Sequence, residues 1–337
     1  MNQNLQIRDL GEQALLKRLF QFCPTDVVGD DAALLPIAPD HAGVVTTDML
    51  VDGVHFSQQT TSPADAGWRA TAANLSDLAA MGATPLGMTV ALGLPGELPV
   101  SWVEQLYQGI AGCLQRFQTP IIGGDICRSP ITTIGITAIG QVLPNRAMKR
   151  SYARVGDSIL ATGVHGASRA GLELLLHHDQ GKSLAAADRD RLQLAHQRPI
   201  PRLDVIPILQ AVISDIQPTA SLLVAGMDTS DGLADAVLQI CQASGVGAKL
   251  ERTQIPIPRG ITQWISEEQA IDWALYGGED FELVLCLPPK VAEEMVKRLE
   301  AAAIVGTITE GNTVTLSDRS GQHSEQILTL DKGFQHF

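Results

Sequence analysis

Aromatic side chains are scarce in this sequence: 337 residues hold seven Phe, four Trp and three Tyr. Recognition built on large stacked rings is therefore not what the chain favours. Positive charge is also short, with 24 Lys plus Arg against 37 Asp plus Glu and a formal net charge of −13. No Lys/Arg-rich block is long enough to follow a phosphate backbone, so nucleic acid is not an expected partner, and anionic membrane surfaces are disfavoured for the same reason. No run of ~18 uncharged apolar residues occurs, and no membrane-spanning helix is expected. Cys23, Cys113, Cys127, Cys241 and Cys286 are odd in number and contain no CxxC pair, which reads as free thiols in a reducing compartment. Near the N-terminus, Leu10, Leu15, Leu16 and Leu19 are interrupted by Arg8, Asp9, Glu12, Lys17 and Arg18, unlike the apolar core of a signal peptide. A soluble, cytoplasmic protein is the expectation.

What is present is an apolar fraction of 45% and 31 glycines, enough for packed cores with close backbone approach. The length predicts about two domains at ~100–200 residues each. Short β-branched runs alternate with helix-period segments, giving the α/β (α+β) class. Strands are predicted at 42–47, 87–92, 120–122, 131–142, 158–162, 221–225, 281–287 and 303–308. Helices are predicted at 12–22, 64–81, 99–117, 168–178, 184–196, 203–214, 233–243 and 290–302. The stretch from Leu143 to Asp157 has a proline, four basic residues and no apolar period, and places the domain boundary there, with domains at 1–147 and 148–337.

Four apolar runs lead into a small residue and then aspartate: VVGDD with Asp30 and Asp31, VVTTD with Asp48, IIGGD with Asp125, and VAGMDTSDG with Asp228 and Asp231. Any one of these alone reads as a turn former or helix cap. Repeated, they read as carboxylates at the mouths of α/β layers, where ligand crevices form. In WRATAANLSDLAAMG, Asn74 and Asp77 share a helix face amid alanines, where a buried carboxylate needs partners. Converging carboxylates at ~4 Å repel by about 4 kcal/mol per pair at an effective dielectric of ~20. These motifs hold almost no Lys or Arg, so the offsetting charge is expected from a divalent ion. Oxygen donors favour Mg²⁺ or Ca²⁺ over zinc, and DTSDG fails the EF-hand pattern because its glycine comes one position early. Sparse carboxylates around Mg²⁺ point to phosphoryl transfer. Neither GxxxxGK[ST] nor an HRD or DFG signature is present. The turn ATGVHGAS is either an anion site at a helix N-terminus or a tight structural turn.

The ordered set GDDAAL from Gly29, TTDMLVDGVHF from Thr46, NLSDLAAMGATP from Asn74, IIGGD from Ile121, DTSDGL from Asp228 and YGGEDFEL from Tyr276 resembles the thiamine-monophosphate kinase family. That family lies within the aminoimidazole-ribonucleotide-synthetase-like group of ATP-using proteins. The resemblance spans roughly Leu10 to Phe337. It implies a two-domain synthetase-like fold, with an N-terminal ATP- and Mg²⁺-binding sheet domain that pairs with a second subunit and a C-terminal α/β domain. It also implies ATP-dependent phosphorylation of thiamine monophosphate. By motif, Asp30, Asp31, Thr46, Thr47, Asp48, Asp77, Asp125, Asp228 and Asp231 are implied Mg²⁺ ligands, with Asp48, Asp125 and Asp231 central to catalysis. Gly124, Asp125, Arg150 and Ser230 are implied ATP contacts, and His55 and Glu279 implied contacts to thiamine phosphate.

Two departures stand out. After Arg150 the family's RSGAKPGD is replaced by RSYARVGD, and Asp331 precedes Lys-Gly-Phe where an aromatic is usual, leaving Phe334 as a substitute ring. Rival readings are a sister synthetase of the group and a noncatalytic nucleotide- or Mg²⁺-binding regulator. Against the sisters, Cys23 has no neighbouring Lys and the chain ends GFQHF without cysteine.

Overall fold

The fold was analysed in a computed structural model, which describes residues 5–24, 27, 32–216 and 222–333. Asp30, Asp31, Phe334 and the start of the strand predicted at 221–225 lie outside the described residues. The chain divides into two compact units, Met1–Leu78 with Thr84–Val142, and Ala79–Ala83 with Leu143–Phe337.

In the first unit the elements are α1 (Ile7–Leu10), α2 (Glu12–Leu19), β1 (Ala42–Val51), α3 (Pro63–Ala80), β2 (Thr84–Leu94), α4 (Val100–Arg116), β3 (Ile121–Arg128) and β4 (Thr133–Val142). The sheet order is β1-β4-β2-β3, with β2 and β3 parallel and the other pairs antiparallel. Strand β4 shows why the sheet has two different faces. Its sequence TIGITAIGQV buries every second residue, including Ile134, Ile136, Ala138 and Val142. On that buried side Leu78 of α3 comes within 3.1 Å of where a Cβ on Gly140 of β4 would stand. The opposite face leaves Val45 and Met49 of β1 67% and 61% exposed.

Helix α4 buries Val103, Leu106, Tyr107, Ile110 and Leu114, the three-four spacing of one apolar stripe. It meets α3 backbone to backbone. A Cβ on Gly109 would lie 1.8 Å from the Ala64 carbonyl oxygen, and one on Gly67 would lie 2.1 Å from that of Leu106.

The second unit contains β5 (Ser158–Ala161), α5 (Ala167–Leu176), α6 (Ala186–Gln197), α7 (Val205–Ile216), β6 (Ala225–Asp228), α8 (Leu233–Ser244), β7 (Gly247–Glu251), α9 (Glu267–Tyr276), β8 (Leu283–Leu287), α10 (Pro289–Arg298), β9 (Ala303–Thr309), β10 (Val314–Ser317) and β11 (Gln326–Ile327). Its sheet runs β11-β10-β7-β9-β5-β8-β6. Within this sheet only β7 and β10 pair in parallel among the described strands. Strand β8, LVLCL, is buried throughout. Val284 and Cys286 join a core with Leu233, Val237 and Ile240 of α8, whereas Leu283, Leu285 and Leu287 join one with Val205 and Leu209 of α7 and Val291 and Met295 of α10. A strand covered on both faces reads as a continuous apolar run, as this one does. A smaller cluster joins α5, α6 and α9, where Trp264 and Trp273 meet edge to face at 5.5 Å.

Among the described residues no helix is long and apolar enough to cross a membrane. Two elements differ instructively from expectation. Strands β1 and β3 do not stop at their aspartates but continue to Val51 and Arg128, because their partners β4 and β2 supply matching ladders past those points. The strand expected at 221–225 lies instead at Ala225–Asp228.

The crossing of α3 and α4 yields a stability prediction. Gly109→Val should destabilise the first unit by about 1–3 kcal/mol or more through overpacking against the Ala64 carbonyl. Urea unfolding followed by circular dichroism measures this.

Candidate active site

In the first unit, side-chain alternation along β1 sorts the expected ligands. Thr46 and Asp48 are half-buried and share the face toward α3, where the Thr46 hydroxyl donates to the Asp77 carboxylate. Asp77 lies in the last turn of α3, an unfavourable place for negative charge against the helix dipole. That makes the Thr46 hydroxyl a needed partner. Thr47 faces the other way: its Oγ1 donates to the Ile136 carbonyl at 2.9 Å and receives the Thr137 hydroxyl at 3.2 Å. Across the sheet, Asp48 is in register with Ile136, Val90 and Gly124, whereas Asp125 follows the row of Met49, Gly135 and Ala91. Gly124 thus shares the Asp48 side, and Asp125 stands exposed on the opposite side.

His55 sits in the tight turn after β1. The Val51 backbone N–H donates to its Nδ1 at 3.1 Å, so the neutral ring carries its proton on Nε2. Arg69, 2% exposed, donates to the His55 carbonyl at 3.0 Å and fixes the turn from α3.

In the second unit three loops meet at one end of the sheet. Strands β5 and β6 are both antiparallel to β8, so the segments leaving them at Thr162 and Thr229 arrive where Glu282 enters β8. The join is hydrogen-bonded throughout. Thr162 donates its N–H to the Leu283 carbonyl at 3.0 Å, and Thr229 donates its N–H to that of Glu282 at 2.9 Å. The Glu279 N–H donates to the Ser230 carbonyl at 2.7 Å. Ser230 Oγ in turn donates to Asp228 Oδ1 at 3.1 Å. Asp228 is 3% exposed, while Ser230 and Asp231 are half-buried. Arg150 lies along α8, which begins directly after this loop; its guanidinium donates to Gln239, which donates to Asp235 at 2.6 Å.

The three carboxylates of the Glu279–Glu282 run have different tasks. Asp280 accepts the Gly166 and Ser168 N–H groups at 2.6 and 2.9 Å and so caps α5. Desolvation pushes its carboxyl up to about 7 against those hydrogen bonds. The anion site that ATGVHGAS offers is therefore filled by the chain itself, and the turn is structural. Glu282 receives the Thr162 hydroxyl at 2.6 Å and the Arg202 guanidinium, which also holds Asp204 bidentately at 3.0 Å. Burial raises the Glu282 carboxyl and Arg202 opposes the rise. Glu279 and Phe281 have φ values of 58° and 52°, the left-handed region for non-glycine residues.

Asp280, Glu282 and Arg202 were missed from sequence. Their signal was present in GGEDFE and in the second Arg of QRPIPRLD, a stretch that reads only as a break. Among the described residues, no group of three or more His, Cys, Asp or Glu is placed to share a metal ion. The expected ligands are apportioned between the two units, Thr46, Asp48, Asp77 and Asp125 in the first and Asp228 and Asp231 in the second.

Comparison with known proteins shows the family of the chain. Residues 29–142 match the AIR synthase related protein, N-terminal domain, and residues 154–319 its C-terminal domain. The two units thus define an AIR synthase related protein. A thiamine-monophosphate kinase from Synechococcus elongatus is 52% identical over 98% of each chain. The crystal structure of a thiamine-monophosphate kinase from Stenotrophomonas maltophilia K279a superposes with a TM-score of 0.76 at 32% identity, covering 90% of this chain and 95% of that one. AaThiL complexed with AMPPCP and TMP superposes at 0.72 and 30% identity, covering 96% and 98%. The chain belongs to the thiamine-monophosphate kinase family.

A pH prediction follows from His165, which is fully buried in the turn before α5, with Nδ1 3.0 Å from the Gly163 carbonyl and Nε2 unpartnered. Burial lowers its pKa from 6.5 to about 4. The unfolded chain then binds the extra proton first, so this histidine's contribution is complete above pH ~6.5 and is lost as pH falls toward ~4, by about 3 kcal/mol. Asp280, raised in the fold, acts oppositely below pH ~7. Comparing wild type with His165→Phe by urea unfolding from pH 7 to 4 isolates the histidine: the variant should lose less stability over that window.

Proposed function

We propose that the protein transfers the γ-phosphate of ATP to the phosphate of thiamine monophosphate, giving thiamine diphosphate and ADP by direct in-line displacement. The observation that carries this reading is the convergence of the Asp228–Gly232 loop with the Glu279–Glu282 run. A relative holding both AMPPCP, a nonhydrolysable ATP analogue, and TMP supports it.

The donor chemistry fits a hard divalent cation. Thr46, Asp48 and Asp77 on one side of the first unit, and Asp228, Ser230 and Asp231 in the second, offer oxygen alone. We assign Mg²⁺ binding to Asp30, Asp31, Thr46, Thr47, Asp48, Asp77, Asp125, Asp228 and Asp231. Bound there, several Mg²⁺ ions supply neutralisation of the phosphate charges. Gly124, Asp125, Arg150 and Ser230 hold ATP, with Arg150 suited to two-pronged contact with phosphate oxygens. His55 presents Nε2–H to the acceptor phosphate. That acceptor has a second pKa of about 6, so at neutral pH it is already nucleophilic and no general base is needed. Asp48, Asp125 and Asp231 are the residues on which turnover depends most. A phosphoenzyme has no place in the scheme.

Residues 1–147 serve ATP and Mg²⁺ binding and dimerisation, and residues 148–337 form the second α/β domain. The exposed sheet face bearing Val45 and Met49 is the surface we assign to a homodimer, where a second copy would cover both side chains. We place the enzyme in the cytoplasm.

Product analysis tests this reading. Thiamine monophosphate with Mg·ATP should yield thiamine diphosphate and ADP, thiamine itself should not be phosphorylated, and chelation should stop turnover until Mg²⁺ is restored. Asp48→Ala and Asp125→Ala should each lower kcat by at least about a hundredfold with circular dichroism unchanged. Near-normal activity in either variant, or a protein phosphorylated by ATP alone, would contradict the scheme. Separately, Met49→Lys should convert a dimer to a monomer in light scattering.

A further inference from the structure

Two buried polar residues of the second unit have no part in the scheme above. Ser168, 1% exposed, lies in the first turn of α5, and His196, 2% exposed, lies near the end of α6. Ser168 Oγ is 3.0 Å from His196 Nδ1, and the same Nδ1 is 3.5 Å from Glu279 Oε2. The two helices approach closely enough that a Cβ on Gly171 would stand 2.0 Å from the Leu192 carbonyl oxygen and 3.0 Å from His196 Cβ. The base of the His196 side chain thus packs directly on the α5 backbone, and its ring meets both Ser168 and Glu279.

Glu279 is the most solvent-accessible carboxylate of its run. Asp280 is committed to the α5 N–H groups and Glu282 to Arg202 and Thr162. The Glu279 side chain is 35% exposed, and its backbone is held in the left-handed region by its bond to Ser230. A non-glycine residue in that conformation is disfavoured by about 1–3 kcal/mol, which a structure sustains where a side chain must be aimed. A carboxylate in this position fits a cationic or N–H-bearing group.

We propose that His196, itself steadied by Ser168, is a positioning residue that aims the Glu279 carboxylate at the cationic, amino-bearing half of the acceptor, its thiazolium and aminopyrimidine rings. The inference rests on the acceptor named under Proposed function. His196 touches no reacting atom. Its effect falls on acceptor recognition and leaves ATP recognition unchanged.

Steady-state kinetics of the full chain test this. His196→Leu should raise KM for thiamine monophosphate about tenfold, with KM for ATP within about twofold. His196→Asn, whose amide nitrogen replaces Nδ1, should recover most of the loss. Should His196→Leu fail to fold, Ser168→Ala should show a smaller rise with the same selectivity. A folded variant with unchanged KM for the acceptor, equal changes in both KM values, or no recovery by Asn overturns the assignment. If the wild type forms no thiamine diphosphate, the acceptor reading falls and this inference with it; an active wild type with unselective variants removes the inference alone.

Discussion

The second unit is organised by the placing of β8 between two antiparallel neighbours. Because β5 and β6 both run opposite to β8, the chain has no choice about where their following loops go: they emerge where β8 begins. Glu282 stands at that point. Its backbone exchanges hydrogen bonds with Thr229, its carboxylate takes the Thr162 hydroxyl, and Arg202 neutralises it. Such a desolvated pair is tolerated only when complete, since removing one member leaves a stranded charge that costs about 3–5 kcal/mol. The positions of the Asp228–Asp231 loop and of Glu279 are therefore braced by a desolvated charge pair at the entry to β8.

The same principle sorts the chain's excess of acid. Carboxylates used for architecture carry their own compensation within the fold: Asp280 has backbone N–H groups, and Glu282 has Arg202. In the first unit, Asp77 takes the Thr46 hydroxyl at the helix end where negative charge is least welcome. Part of the net charge of −13 is thus made of carboxylates held by named partners within the fold.

Much of this was legible in the sequence, for reasons that can be stated locally. Strand β4 announces its two faces through strict alternation, and α4 through its three-four stripe, because each is half-buried and the pattern records the burial. The aspartate motifs were visible because acid after an apolar run is unusual when repeated. Strand ends were not visible: the apolar run before Asp48 does not reveal that β4 keeps pairing as far as Val51. Helix α9 went unrecognised despite Ser266 capping Gln269, since its two tryptophan- and tyrosine-bearing turns blur a helical stripe. Strands β7, β10 and β11 are short and set among turn residues, so nothing but tertiary pairing identifies them. His196 was invisible for another reason. Its role depends on the approach of α5 and α6, and no one-dimensional spacing encodes that approach.

The Glu279–Asp280–Phe281–Glu282 run has a consequence for how this loop can vary over evolutionary time. One carboxylate meets His196 and solvent, the next seals a helix end, the ring is buried, and the last completes a charge pair. A single inserted or deleted residue would reassign all four tasks at once. Substitutions can be sampled here one side chain at a time, but length cannot drift, so the segment behaves as a fixed reading frame.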